Sequence, residues 1–278
     1  MSRQHPVFSL LLCYSAVLAG QLQAQSAELG RTFWRGNSGE YSIEWSTANL
    51  KVTRTGSPVL IFDAAAMTNA DWIEDKRIQP EGQSMYVSVS YRLLSVVGPY
   101  LSMNIDESRE VFLNAEDAKF STIDLDRISP RSLAPVSLTS IFPKEDIFAA
   151  LMADRIIAKA LPAGSKPNSL KELIEILQGS DDRVAVGGCD YWLPYEDPTH
   201  PLSDFAFQDV KNGKVAVRLS LSPDHFCHVP VLQLELWLPI PEAHRSWFTD
   251  AKERRSGLLM VDVPSDVSTS FEFSQEGK

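Results

Sequence analysis

The sequence predicts an α+β fold: a mostly antiparallel sheet packed against two central helices and a C-terminal helix. Three observations carry that reading. Tyr86-Val87-Ser88-Val89-Ser90-Tyr91 alternates strictly, so every second side chain can face a core. Asn212-Gly213 separates two strand-like runs and tolerates the positive φ that a tight hairpin turn needs. Between these regions, apolar residues recur at helical spacing in two adjacent stretches.

Taken in order, residues 1–24 read as a signal peptide. Arg3 supplies the positive start, Val7–Gly20 the apolar core, and Leu22 and Ala24 suit the positions before a cut. Leu18-Ala19-Gly20 resembles a lipoprotein box, but Gln21 stands where lipidation needs a cysteine. Cleaved export is favoured, and an uncleaved N-terminal anchor is the alternative. No second apolar run approaches spanning length, so no stable membrane insertion is expected after cleavage.

Residues 25–84 form a strand-rich N-terminal segment. Ala27–Gly39 reads as a loosely held arm, with Phe33 and Trp34 as docking points. Tyr41–Arg54 has strand character with a turn at Asn49, and Val59–Phe62 is a short buried strand. A helical turn is expected near Ala64–Asp75.

Residues 85–263 make the main α+β domain. Met85–Val97 is the clearest strand, Gly98-Pro99 breaks it, and Tyr100–Ile105 returns as a hairpin partner. Phe120–Leu125 is a further strand. Thr139–Leu161 reads as one long helix, with Pro143 suited to a first helical position and Glu145 and Asp146 meeting the positive end of the dipole. Ile147, Leu151, Met152 and Ile156 make its apolar stripe. Ser169–Gln178 is a second helix, capped by Asn168 and striped by Leu170, Leu173, Ile174 and Leu177. Tyr191–Pro201 reads as an aromatic, proline-rich loop. Phe205–Val210 and Lys214–Leu221 are the hairpin around Asn212-Gly213. Val229–Leu238 looks buried on both faces, Glu242–Arg255 is a polar helix with Trp247 and Phe248 turned inward, and Leu258–Val263 is a last edge strand. Residues 264–278 read as a flexible tail.

Charge excludes one class of partner. The chain has 26 basic against 36 acidic residues and a formal net charge of −10, and the leader holds Arg3 but no acid. Nucleic acid is therefore not an expected partner, because its phosphates need a basic footprint.

Two cysteines remain outside the leader, Cys189 and Cys227. An even pair in an oxidising compartment reads as one disulfide, worth roughly 3–4 kcal/mol in the chain-entropy model. Free thiols are one alternative. A metal site is the other, since His225 and His228 flank Cys227 and Asp190 follows Cys189. A zinc site usually draws on two tight ligand pairs, and only one is present here, so no metal and no cofactor is expected.

The sequence contains no GxSxG, HExxH, CxxC, GxGxxG or phosphate loop, and no catalytic residue is assigned. His200, His225, His228 and His244 are the available bases, and no serine sits in a strand-turn-helix elbow. Asp181-Asp182 and Glu196-Asp197 are tight carboxylate pairs, but only burial could raise one pKa and make a pair catalytic. The best binding candidates are Tyr191, Trp192 and Tyr195, rings stiffened by Pro194 and Pro198. The competing reading packs these rings into the core.

The phrase that runs from Ser121-Thr122-Ile123-Asp124-Leu125 to Val136-Ser137-Leu138-Thr139-Ser140-Ile141-Phe142 and then a helix is similar to one in a bacterial envelope domain. So is the order of elements in Tyr86–Ala251 around it. That domain forms the outer part of lysozyme-sensing anti-sigma factors and is attached to some peptidoglycan deacetylases. The resemblance covers about two-thirds of the chain beyond the leader. Val97-Gly98-Pro99-Tyr100 departs from it by lacking the family's Gly-Gly-Ala-His turn. What the resemblance implies is a periplasmic or secreted binding domain for a cell-wall fragment or a cationic wall-active protein. A hydrolase of wall glycan or peptide is the alternative.

Overall fold

The computed structural model describes residues 31–57, 60–69, 85–111, 113–128, 135–178, 183–186, 189–192, 202–223 and 232–275. The strands in chain order begin with β1 (Thr32–Ser38), β2 (Tyr41–Ser46), β3 (Leu50–Arg54) and β4 (Leu60–Asp63). After a helical stretch at 64–69 come β5 (Met85–Val97), β6 (Tyr100–Val111) and β7 (Leu113–Asp124). Four helices follow: α1 (Leu138–Ile141), α2 (Lys144–Ala153), α3 (Arg155–Ala160) and α4 (Leu170–Gln178). Then come β8 (Arg183–Val186), β9 (Cys189–Trp192), β10 (Phe205–Lys211), β11 (Lys214–Pro223) and β12 (Leu232–Pro239). A last helix, α5 (Arg245–Lys252), and a last strand, β13 (Thr269–Gln275), complete the order.

These strands form three antiparallel sheets, and the fold is α+β. One has the order β1-β2-β3-β4, a second β13-β5-β6-β7, and a third β10-β11-β9-β8 with β12 also on β11. The second sheet is the middle layer, and β5 shows how. Val87, Val89, Tyr91, Leu93 and Val96 share a core with Ile43, Trp45 and Val52 of the first sheet. A register shift between Leu93 and Ser95 re-aims the strand. Leu94 then packs on Phe120 and Ala206, and Val97 joins the core of the third sheet and the helices. Residues on both sides of position 84 therefore contribute to one core.

Buried hydroxyls tie the middle sheet to β10. Ser102 and Thr122 hydroxyls pair at 2.8 Å, Thr122 donates on to the Phe205 carbonyl, and Ser95 Oγ accepts from the Phe207 amide at 3.1 Å. These three hydroxyls thus each have a partner, as the low-dielectric interior requires.

Several expected elements are corrected. Thr139–Leu161 is not one helix but three pieces. Phe142 and Pro143 have extended backbones between α1 and α2, and Asp154 (ψ 134) separates α2 from α3. The Asp154 carboxylate accepts from the amides of Ile156 and Ile157 at 2.8 and 3.1 Å, so it starts a new helix instead of continuing the old one. Ser169, not Asn168, caps α4: its hydroxyl accepts from the Glu172 amide, while the Glu172 carboxylate accepts from the Asn168 amide. The expected loose arm is β1 from Thr32 onward, paired along β2, with Phe33 edge-on to Trp45 at 4.9 Å. Leu258–Val263 is not a strand. Leu258 makes a single bridge to Val96, and Met260–Asp262 is a 3-10 turn. The tail expected to be flexible holds β13, which pairs with β5 from Thr269 to Gln275.

One buried ion cluster gives a pH prediction. Asp209, with its side chain 9% exposed, accepts from Lys211 at 2.7 Å and from Lys252 at 2.6 Å. Burial pushes its carboxyl up, but these two lysines and the Val210 amide outweigh that and hold its pKa at about 2, below the ordinary 3.8. A carboxyl lowered on folding stabilises the protein above 3.8, and that contribution is lost as pH falls towards 2. In an acid titration followed by circular dichroism, Asp209→Asn should be less stable at neutral pH, by about 1.5–3 kcal/mol. It should also lose less than the parent between pH 3.8 and about 2. Equal acid sensitivity of the two proteins would rule this linkage out.

Candidate functional site

A groove of about 1150 Å³ lies between α2–α3 and β12. Its construction follows from local sequence. The break at Asp154 bends the helical wall, and Ala149, Ala150, Ala153 and Ala160 line it, so that wall carries little side-chain bulk. Opposite, β12 has period two: Leu234, Leu236 and Leu238 are buried, while Gln233 and Trp237 are half-buried and Glu235 is exposed. Gln233, Glu235, Trp237 and Pro239 line the groove. The expectation that β12 is buried on both faces is therefore corrected. One face is core and the other is groove.

Trp237 is held in place. Its indole N–H donates to Glu235 Oε1 at 2.9 Å, and Lys211 Nζ lies 5.6 Å from its ring centre. Glu235 also pairs with Arg218 at 3.4 Å, and Arg218 Nε donates to Gln208 Oε1 at 2.6 Å. This chain of contacts presents an aromatic ring with little side-chain freedom left to lose on binding.

The charges around the groove are unevenly satisfied. Asp154 is used as a cap and Glu235 by Arg218 and Trp237. Arg155, Lys159 and Lys214 line the groove without an acidic partner among the described residues, against one unpaired lining acid, Asp146. The lining's formal charges are equal in number, three acids and three bases, but among those without a described partner the cations outnumber the acids three to one. Among the described residues, the groove's lining contains no serine, cysteine or histidine.

The described lining of the groove does not include the residues singled out from sequence. Tyr191 and Trp192 belong to β9 rather than to a loop, with Tyr191 opposite Val184 and Trp192 opposite Arg183 and Ser222. Tyr195 lies outside the described residues, as do Cys227, His200, His225, His228, and the pairs Asp181-Asp182 and Glu196-Asp197. The Cys189–Cys227 disulfide remains an expectation, with the Cys189 backbone in β9 opposite Val186. His244 stacks on Trp247 at 4.7 Å with Tyr100 edge-on to both, and burial lowers its pKa. Among the described residues no group of three or more His, Cys, Asp or Glu is placed to hold a metal ion. No helix of the described residues is long and apolar enough to cross a membrane.

Sequence reading missed Trp237 and the cations that line the groove with it. The available signal was the alternation Gln233, Glu235, Trp237 against Leu234, Leu236, Leu238. Its meaning depends on the helical wall some eighty positions earlier. The chain matches no protein-family model and no curated protein.

Proposed function

We propose that this chain is an exported binding domain that takes a cell-wall fragment, or a wall-active protein, without transforming it chemically. The observation that carries the reading is the groove: Trp237, its indole N–H held by Glu235, lines it together with a low alanine wall. Aromatic faces with flanking charges suit sugars and peptides, and a fixed ring binds them at low entropic cost. The leader-like residues 1–24 and the resemblance of Tyr86–Ala251 to an envelope domain supply the compartment and the wall as its setting.

The test is calorimetric titration of the whole chain, without residues 1–24, with soluble peptidoglycan fragments and separately with a lysozyme. The expected result is saturable binding to one of them. Trp237→Ala should weaken it by roughly thirtyfold or more, as for an aromatic anchor, with little change in melting temperature. Release of new reducing or amino ends from the fragments would overturn the reading in favour of a hydrolase. Absence of binding to both would overturn it as well.

A further inference from the structure

The groove also runs along an unfinished sheet edge. The Ile240 amide donates to the Gly213 carbonyl at 3.0 Å, which fixes the hydrogen-bonding parity of the β11–β12 ladder. In an antiparallel pair, opposed residues alternate between exchanging both hydrogen bonds and exchanging neither. Leu232, Leu234, Leu236 and Leu238 therefore bond inward to β11. Gln233, Glu235 and Trp237 aim their backbone N–H and C=O groups the other way. Nothing among the described residues pairs with those outward groups, and β12 has β11 as its only strand neighbour there. Pro239, next in the same parity, has no N–H and ends the row of donors.

Three donors at every second residue span about 13 Å at ~3.3 Å per residue, enough for one added strand of five or six residues. Exposed edges of this kind are templates for strand addition, in which main-chain bonds give affinity and flanking groups give selectivity. Here the flanking charge without a described partner leans positive: Arg155, Lys159 and Lys214 line the groove without acidic partners, against Asp146 among the lining acids.

We infer that the groove takes an extended acidic peptide, added to the free edge of β12 as a further strand with its carboxylates against Arg155, Lys159 and Lys214. This deepens, and rests on, the reading of the groove as the recognition site. It selects the peptide part of a wall fragment, or an acidic segment of a protein, over a bare glycan or a cationic partner.

The probes are a fluorescein-labelled hexapeptide of alternating Val and Glu, the same peptide with Lys for Glu, and the Val-Glu peptide N-methylated at alternate amides. Fluorescence polarisation with the full chain should show saturable binding of the Val-Glu peptide alone, weakening as salt rises. Gln233→Pro removes an outward donor that the β11 ladder does not use, which an edge strand tolerates. It should preserve the melting temperature and weaken binding roughly tenfold. Charge reversal at Arg155→Glu with Lys159→Glu should abolish binding of the Val-Glu peptide. Equal binding of the Lys peptide or of the N-methylated peptide would overturn the inference. If wall fragments bind in a Trp237-dependent way while Gln233→Pro has no effect and the Val-Glu peptide does not bind, this inference fails and the binding-domain reading stands. If neither fragments, lysozyme nor peptide bind, both fail.

Discussion

Replacing Trp45 with alanine should lower the unfolding free energy by roughly 4–5 kcal/mol and the melting temperature by about 10–15 °C. Trp45 is fully buried between the first and second sheets, where Phe33 meets its ring edge-on. Truncation removes the apolar contact and leaves a cavity that β-sheet backbone on either side cannot collapse into. The indole also donates to Thr269 Oγ1 at 3.0 Å, and that hydroxyl donates to the Ser46 carbonyl. The residue therefore links β2 to β13 as well as filling space. Trp45→Phe keeps most of the volume and loses the N–H, so it should cost only about 1–2 kcal/mol beyond the lost ring area. Chemical denaturation of the two variants separates packing from hydrogen bonding. A loss under about 2 kcal/mol for Trp45→Ala would mean that the sheet interface is not the stabilising core described.

The second large effect is expected at Gly257. Its φ is +90°, and a Cβ built there would lie 2.3 Å from the Val96 carbonyl oxygen, a backbone atom that cannot swing away. That carbonyl accepts from the Leu258 amide at 2.9 Å, and the Gly257 amide donates to the Asn37 carbonyl at 2.8 Å. Gly257→Ala must break or bend this junction between β1, β5 and the segment after α5, at a cost of about 3 kcal/mol or more. Gly39 is the control: its φ is +56°, but nothing lies within 4 Å of the added atom. Gly39→Ala should cost only about 1 kcal/mol, the backbone term alone. Equal losses in urea titrations of the two variants would show that the clash at Val96 is relieved for free.

What could be read in advance was whatever depended on near neighbours. The β5–β6 hairpin, the Asn212-Gly213 turn (φ 53° and 71°) and the stripe of α4 all follow from residues within a few positions of one another. The misreadings share a different cause. Asp154 looks acceptable inside a helix until its carboxylate is seen to satisfy the amides of the next turn. Thr269, Phe271 and Phe273 alternate as a strand should, yet without β5 beside them they sit in a short polar tail. The groove was illegible for the same reason. Trp237 acquires a role only when α2 and α3, far earlier in the chain, stand across from it.

The Trp45–Thr269 link and the seating of β13 on β5 set an order of events during synthesis. The first sheet is made early, but its core is closed by a strand that follows every other described one. A nascent chain cannot complete that layer until residue 275 has emerged, and the high sequence separation makes closure slow.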